Sequence, residues 1–237
     1  MAVLVTLDAY TDLPRPNVEY LVHELIPRPG IVLLLGEAGS GKSFLSLQIA
    51  LAVAQGGIFF HSRAKQGSVL LIQTDMSELI VRERVKNLRK AGVDTSGPIY
   101  TMHPEKQPVV IDLLKADGFK CVAEAIAEAN PALVVFDVLR ELHSADEDNS
   151  TEMKQVGDRL MELCQGRTGF ILHHTTKIAA GTDPKPVNAS RGSSYLPGKA
   201  DAVWLLHDGY LHIGKSRFAA SGKYRVKRAA SGLWLFD

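Results

Sequence analysis

The run Gly36-Glu37-Ala38-Gly39-Ser40-Gly41-Lys42-Ser43 matches the spacing G-x-x-x-x-G-K-[ST]. This spacing suits the holding of phosphate. Glycines let the backbone curl until successive N–H groups converge on phosphate oxygens. A lysine at position 42 then reaches the β- and γ-phosphates, and the Ser43 hydroxyl can ligate Mg²⁺. Before the run, Ile31-Val32-Leu33-Leu34-Leu35 is uninterrupted and apolar, as in a strand buried on both faces. After it, residues 44–54 read as a helix whose N-terminus faces the anion. The pattern predicts a nucleotide site formed by Gly36, Ala38, Gly39, Ser40, Gly41, Lys42, Ser43 and Phe44.

In sheets of this kind, ligands bind beyond the carboxyl ends of the strands, so polar residues that close apolar runs are the next candidates. Asp137 closes Ala132-Leu133-Val134-Val135-Phe136. It is expected to hold Mg²⁺ opposite Ser43, directly or through water, because the ion demands oxygen ligands. Asp75 follows the apolar run of residues 68–73. A carboxylate there can orient or deprotonate the water that attacks the γ-phosphorus, and it can also cap the helix that starts near Ser77. His173 and His174 close residues 169–172. Adjacent strand residues point to opposite faces, so one of the pair faces the phosphates, and His174, the outer one, is the expected γ-phosphate donor. Lys215, Arg217, Lys223, Arg225, Lys227 and Arg228 form a basic cluster without an acidic residue. It reads as a solvated strand face, as charge offered to a neighbouring subunit's nucleotide, or as a contact to nucleic-acid phosphates. The loop holding Glu141, Asp146, Glu147 and Asp148 is acidic and a poor partner for a phosphate backbone.

These residues need a scaffold. The chain has 237 residues, 46% apolar, with a net charge of +1, enough for one substantial core and with no global pull towards a polyanion. Its two cysteines, Cys121 and Cys164, show no metal spacing and suit a reducing compartment. No apolar run approaches the roughly 20 residues that span a bilayer, and the expectation is a cytoplasmic protein without membrane contact. Residues 1–30 begin with an alternating segment over 3–7, turn at Leu13-Pro14-Arg15-Pro16, and predict a short helix over 18–26. Strands are expected at 68–73, 98–102, 132–137 and 169–174, and helices at 78–91, 118–129 and 151–165. Residues 103–117 resist assignment, and 177–194 read as a long mobile loop. Short strands at 201–206, 210–215, 222–227 and 233–236 predict an antiparallel extension. The fold class is therefore α/β, with a mostly parallel central sheet flanked by helices. Residues 31–237 form a single domain on which residues 1–30 pack.

Taken in order, the stretches Leu25-Ile26-Pro27-Arg28-Pro29-Gly30, the phosphate loop, Gly67-Ser68-Val69-Leu70-Leu71-Ile72-Gln73-Thr74-Asp75-Met76-Ser77, Leu133-Val134-Val135-Phe136-Asp137, Ile171-Leu172-His173-His174-Thr175-Thr176-Lys177 and Arg191-Gly192-Ser193-Ser194 resemble the RecA-like ATPases. The likeness is to the branch of RepA-type hexameric replicative helicases of plasmids and their single-domain phage and bacterial relatives. It runs through most of residues 20–217. The resemblance implies a RecA-like core with ATP and Mg²⁺ as cofactors, Lys42 and Ser43 as the first nucleotide motif, and Asp137 as the second. Asp75 falls where the family usually has a glutamate, and His174 matches the γ-phosphate sensor. Lys215-Ser216-Arg217 is similar to the Lys-x-Arg pair that reaches into the neighbouring subunit's site. The loop 177–190 matches the family's central-channel DNA loop. Implied is a homo-oligomer, a hexameric ring with shared active sites, working as a motor on single-stranded DNA in phage or plasmid replication. A filament-forming recombinase or its accessory ATPase, and a DNA-binding regulatory switch governed by ATP, are the alternatives.

Overall fold

The computed structural model describes residues 4–11, 18–103, 106–107, 109–179, 181–218 and 221–236. A short helix, α1 (Leu7–Thr11), comes first. The proline turn expected at residues 13–16 lies outside the described residues. Residues 18–26, expected as a helix, form a hairpin instead: β1 (Glu19–Val22) pairs antiparallel with β2 (Ile26–Arg28). The apolar residues Leu21, Val22, Leu25 and Ile26 would line one face of a helix equally well, which is why the pattern misleads. Two tertiary constraints decide it. Pro27 lies inside the pairing, where a helix would lose a hydrogen bond. The hairpin is also clasped by the chain beyond it, with His23 N–H donating to Arg63 O at 3.0 Å and Lys65 N–H to Leu21 O at 2.8 Å.

The chain then runs β3 (Gly30–Gly36), α2 (Lys42–Gln55), a small hairpin of β4 (Ile58–Phe59) and β5 (Ser62–Arg63), β6 (Val69–Gln73), α3 (Glu78–Lys90) and β7 (Ile99–Met102). It continues through α4 (Ala116–Ala129), β8 (Leu133–Asp137), α5 (Ser150–Leu163), β9 (Thr168–His174), α6 (Tyr195–Lys199), β10 (Ala202–His207), β11 (Tyr210–Ser216), β12 (Gly222–Arg228) and β13 (Trp234–Phe236). Nine of these strands join one sheet in the order β13-β12-β11-β10-β3-β9-β8-β6-β7. The stretch from β10 to β7 is parallel throughout, and β11, β12 and β13 add antiparallel. The β10–β11 turn is Asp208-Gly209, both with positive φ (47° and 73°), the geometry that matches strand twist in a two-residue hairpin.

Both faces of the parallel strands are covered, which accounts for their unbroken apolar runs. Along β3, Val32 and Leu34 point into a layer with α2, the β1–β2 hairpin, Phe59 and Trp204. Ile31, Leu33 and Leu35 point the other way, into a layer with α4, α5 and Leu139 and Leu142. The segment that resisted assignment belongs to this second layer. Ile111 and Leu113 are buried, and Leu113 N–H donates to Leu142 O at 2.8 Å. The expected long loop at 177–194 is partly organised, with a 3₁₀ turn at Pro186–Asn188 and a bridge between Thr175 and Ser190.

Gly118 in α4 is where this irregular segment touches the helix: a Cβ there would lie 2.5 Å from the backbone N and O of Asp112. Helix propensity alone favours Gly→Ala by about 1 kcal/mol. The contact is with backbone and cannot yield easily, so Gly118→Ala is expected to lower the melting temperature. An unchanged or higher value would show that the 109–115 segment adjusts freely.

Candidate nucleotide site

The phosphate loop leaves the end of β3 at Gly36 and enters α2 at Lys42. Gly41 has φ 96°, a conformation side chains resist, and its place leaves no room for one, since a Cβ would meet the Trp234 ring at 2.7 Å. The ammonium of Lys42 is buried at the mouth of the loop and donates to Gly36 O at 2.8 Å and Glu37 O at 2.9 Å. Burial lowers its pKa to about 8, with Asp137, Asp75 and Glu37 pulling the other way. It is therefore still a cation at neutral pH, held where an anion would add the missing stabilisation.

Asp137, at the end of β8, is 2% exposed. Its Oδ1 accepts the Ser43 hydroxyl at 3.0 Å, while its Oδ2 is buried with no hydrogen-bond partner among the described residues. Desolvation raises its pKa to about 6, against the Ser43 hydrogen bond and the charges of Arg84 and Lys42. An orphaned, desolvated carboxylate oxygen beside a serine hydroxyl fits a hard divalent cation such as Mg²⁺, which takes oxygen ligands and favours the ionised carboxylate.

Asp75 follows β6 and joins Lys42, Ser43, Asp137 and His174 around one cavity of about 270 Å³. The N-cap of α3 is Ser77, whose side chain makes no cap bond, so Asp75 is not spent on capping. His174, the last residue of β9, is half-buried at the cavity, and burial followed by the Lys42 charge lowers its pKa. Its imidazole is neutral at neutral pH and can donate one hydrogen bond. His173 points to the opposite side, as strand alternation requires. It is 1% exposed, shares a hydrogen bond of 3.1 Å with Arg191 O through Nε2, and has Nδ1 3.9 Å from Glu147. Arg191 in turn pairs with Glu147 at 3.3 Å and donates its N–H to His174 O at 3.1 Å. The inward histidine thus braces the strand end that presents the outward one.

Of the expected phosphate-loop residues, Ala38, Gly39, Gly41, Lys42, Ser43 and Phe44 line the cavity, while Gly36 and Ser40 turn inward beneath it. Lys215 and Arg217 are not brought to it. Lys215 donates to Pro197 O and Gly198 O, both at 2.8 Å, and Arg217 contacts Asp201 and Gly198 at the start of β10. Sequence reasoning missed Arg84 and read Arg228 only as part of a cluster; both line the cavity and lie over the Phe44 ring, at 4.3 Å and 5.2 Å from its centre. The signal for Arg84 was available: it stands one turn before Leu88, the one buried residue of α3.

A strand–glycine loop–helix cradle at the edge of a parallel sheet, with carboxylates and a histidine at the ends of neighbouring strands, defines a RecA-like P-loop ATPase. The chain belongs to the AAA-domain family, whose family model matches residues 2–180. Among solved structures, the crystal structure of the KaiC-like protein PH0186 from the hyperthermophilic archaeon Pyrococcus horikoshii OT3 is similar in fold, at 15% identity and a TM-score of 0.59 over 92% of this chain and 93% of that one. The solved ATPase domain of a helicase is similar too, at 14% identity and a TM-score of 0.64 over 88% of this chain and 85% of that one. No curated protein sequence matches. No helix among the described residues is long and apolar enough to cross a membrane.

His173 generates a pH prediction. Its pKa falls from 6.5 to about 4 in the fold, chiefly through burial. The unfolded chain binds that proton more tightly, so this contribution to stability is present above pH 6.5 and is lost as pH falls towards 4. Chemical denaturation of the wild type and His173→Gln at pH 7 and pH 4.5 should show the gap between them shrinking at the lower pH, by about 3 kcal/mol at most. A gap independent of pH would contradict the buried neutral imidazole.

Proposed function

We propose that this chain is a Mg²⁺-dependent ATP hydrolase that assembles into a ring, hexameric by resemblance, and moves on single-stranded DNA during replication. The observation that carries the hydrolytic reading is the convergence of Asp75, Asp137 and His174, from the ends of β6, β8 and β9, on the cavity of Lys42 and Ser43. In this reading the loop amides and Lys42 hold the β- and γ-phosphates, Lys42 exchanging the carbonyls of Gly36 and Glu37 for phosphate oxygens. Asp75 takes a proton from water as its oxygen bonds to the γ-phosphorus and the bond to the β–γ bridging oxygen breaks. His174 donates to the γ-phosphate. Mg²⁺, held by Ser43 and Asp137, supplies charge neutralisation to the phosphates.

Support for coupling to DNA comes from the loop after β9. Glu37, inside the phosphate loop, accepts the N–H of Ile178 at 3.2 Å, and Gly36 O accepts that of Thr175 at 3.4 Å. The nucleotide cradle therefore grips the base of the segment that carries the exposed cations Lys177 and Lys185. Lys215 and Arg217, turned away from their own cavity, are available to a neighbour's site. The short reach of Asp75, where relatives carry glutamate, supports a second reading in which slow hydrolysis makes ATP a switch for assembly on DNA.

Hydrolysis measured with and without single-stranded DNA, with particle mass alongside, separates these. The motor reading expects DNA-stimulated turnover by a ring and its loss, by at least about a hundredfold, in Lys42→Ala. A DNA-indifferent monomer would exclude the motor, and undiminished turnover in Lys42→Ala would exclude the site. For the shared active site, Arg217→Ala and Asp75→Ala should each be inactive alone and recover activity when mixed, because some interfaces then pair an intact Asp75 with an intact Arg217. No recovery in mixed rings would contradict a trans-acting Arg217.

A further inference from the structure

Beyond residue 180, where the family match ends, β12 and β13 bring the chain back over the phosphate loop. They pair with Arg228 opposite Trp234. Trp234 is 7% exposed, and its indole N–H donates to Gly41 O at 3.2 Å. Its backbone clasps the Gln48 side chain in α2 in both directions, N–H to Oε1 at 2.9 Å and Nε2 to O at 3.1 Å. In the turn between the strands, Gly232 lies so close to Phe44 that a Cβ would be 2.3 Å from the ring. Loop, ring and helix are each fastened to this strap.

The fastening sets Arg228 at the cavity. Its guanidinium lies over Phe44, and a terminal nitrogen is 3.2 Å from the Cβ position of Gly41, inside the loop. Arg84 reaches the same ring from α3. Among the described residues neither arginine is in an ion pair. They act on each other instead: after burial, and against the pull of Asp137, Arg228 is a cause of the lowered Arg84 pKa. Two guanidiniums gathered on one ring at the mouth of a phosphate cradle repel until an anion lies between them. Arginine suits that anion, since its planar fork matches phosphate oxygens.

We propose that Arg228 is a ligand, supplied by the same chain, for the phosphate chain of the bound nucleotide, and that phosphate binding is thereby coupled to the seating of the β12–β13 strap on the loop. This rests on the nucleotide-site reading above and adds to it a cation that needs no neighbouring subunit. It also gives a direct optical readout. Trp234 sits on the loop, whereas Trp204, the other tryptophan, is 0% exposed in the core and far less sensitive to events there.

The test is ATP and ADP binding by calorimetry, with tryptophan emission recorded alongside, for the full chain and for Arg228→Gln, Arg228→Lys and Lys42→Ala, each checked for unchanged melting. Arg228→Gln should weaken both nucleotides about tenfold or more, as loss of a charge-assisted contact does. Arg228→Lys, which keeps the charge but not the fork, should fall between it and the wild type. Nucleotide should shift the emission of the wild type and not of Trp234→Phe. If Lys42→Ala binds as well as the wild type, the nucleotide-site reading is lost. If Lys42→Ala is impaired while Arg228→Gln binds normally, the strap proposal alone is overturned. Equal losses in Arg228→Gln and Arg228→Lys, or an emission shift that persists in Trp234→Phe, would also overturn it.

Discussion

The structure depends on one electrostatic arrangement: a carboxylate and an ammonium held out of water at the same sheet edge without contacting each other. Asp137 bonds the Ser43 hydroxyl, Lys42 bonds two backbone carbonyls, and each has its pKa displaced towards neutrality by burial. Burying charges in this way costs stability, and direct pairing would recover part of it. Keeping them apart leaves a gap lined by one unsatisfied carboxylate oxygen and one cation, the complement of a metal-bound phosphate. The fold around them holds that separation. Parallel strands buried on both faces deliver Gly36, Asp75, Asp137 and His174 to one edge, and their apolar layers leave little freedom for the ends to shift.

The connections around that edge link the site to the rest of the molecule. Glu37 ties the loop to the segment after β9, the Glu147–His173–Arg191 cluster ties that segment to the acidic loop, and the Trp234 strap ties the loop to the far end of the sheet. A change at the phosphates therefore meets three neighbours at once, each through hydrogen bonds or ion contacts of definite geometry. Such linkage is what a nucleotide-driven machine requires, and it is present within a single chain.

Much of this was legible in the sequence because it is local. A glycine-rich loop between a strand and a helix, and a carboxylate or histidine closing an apolar run, announce themselves within a few residues. The parallel core and the antiparallel extension followed from the same patterns. What was not legible depended on contacts distant in sequence. The 18–26 segment has a helix-compatible stripe, and its hairpin is settled by residues 63–65. Residues 109–115 take their place from Leu142 and Gly118. Arg228 looked like one member of a basic strand face, and its distinct position comes from Trp234 and Gly232 fixing the turn that follows it. The residues of the loop itself could be named from spacing, but the arginines flanking it could not.

The central claim is that the separated pair of Lys42 and Asp137 is the seat of a metal-bound triphosphate. A structure determined with Mg²⁺ and a non-hydrolysable ATP analogue tests it most directly. The account predicts phosphates inside the 36–43 loop, the Lys42 ammonium moved from the carbonyls of Gly36 and Glu37 onto phosphate oxygens, and the ion beside Ser43 and Asp137. Nucleotide bound elsewhere, or bound there with Lys42 still on its two carbonyls, would contradict it.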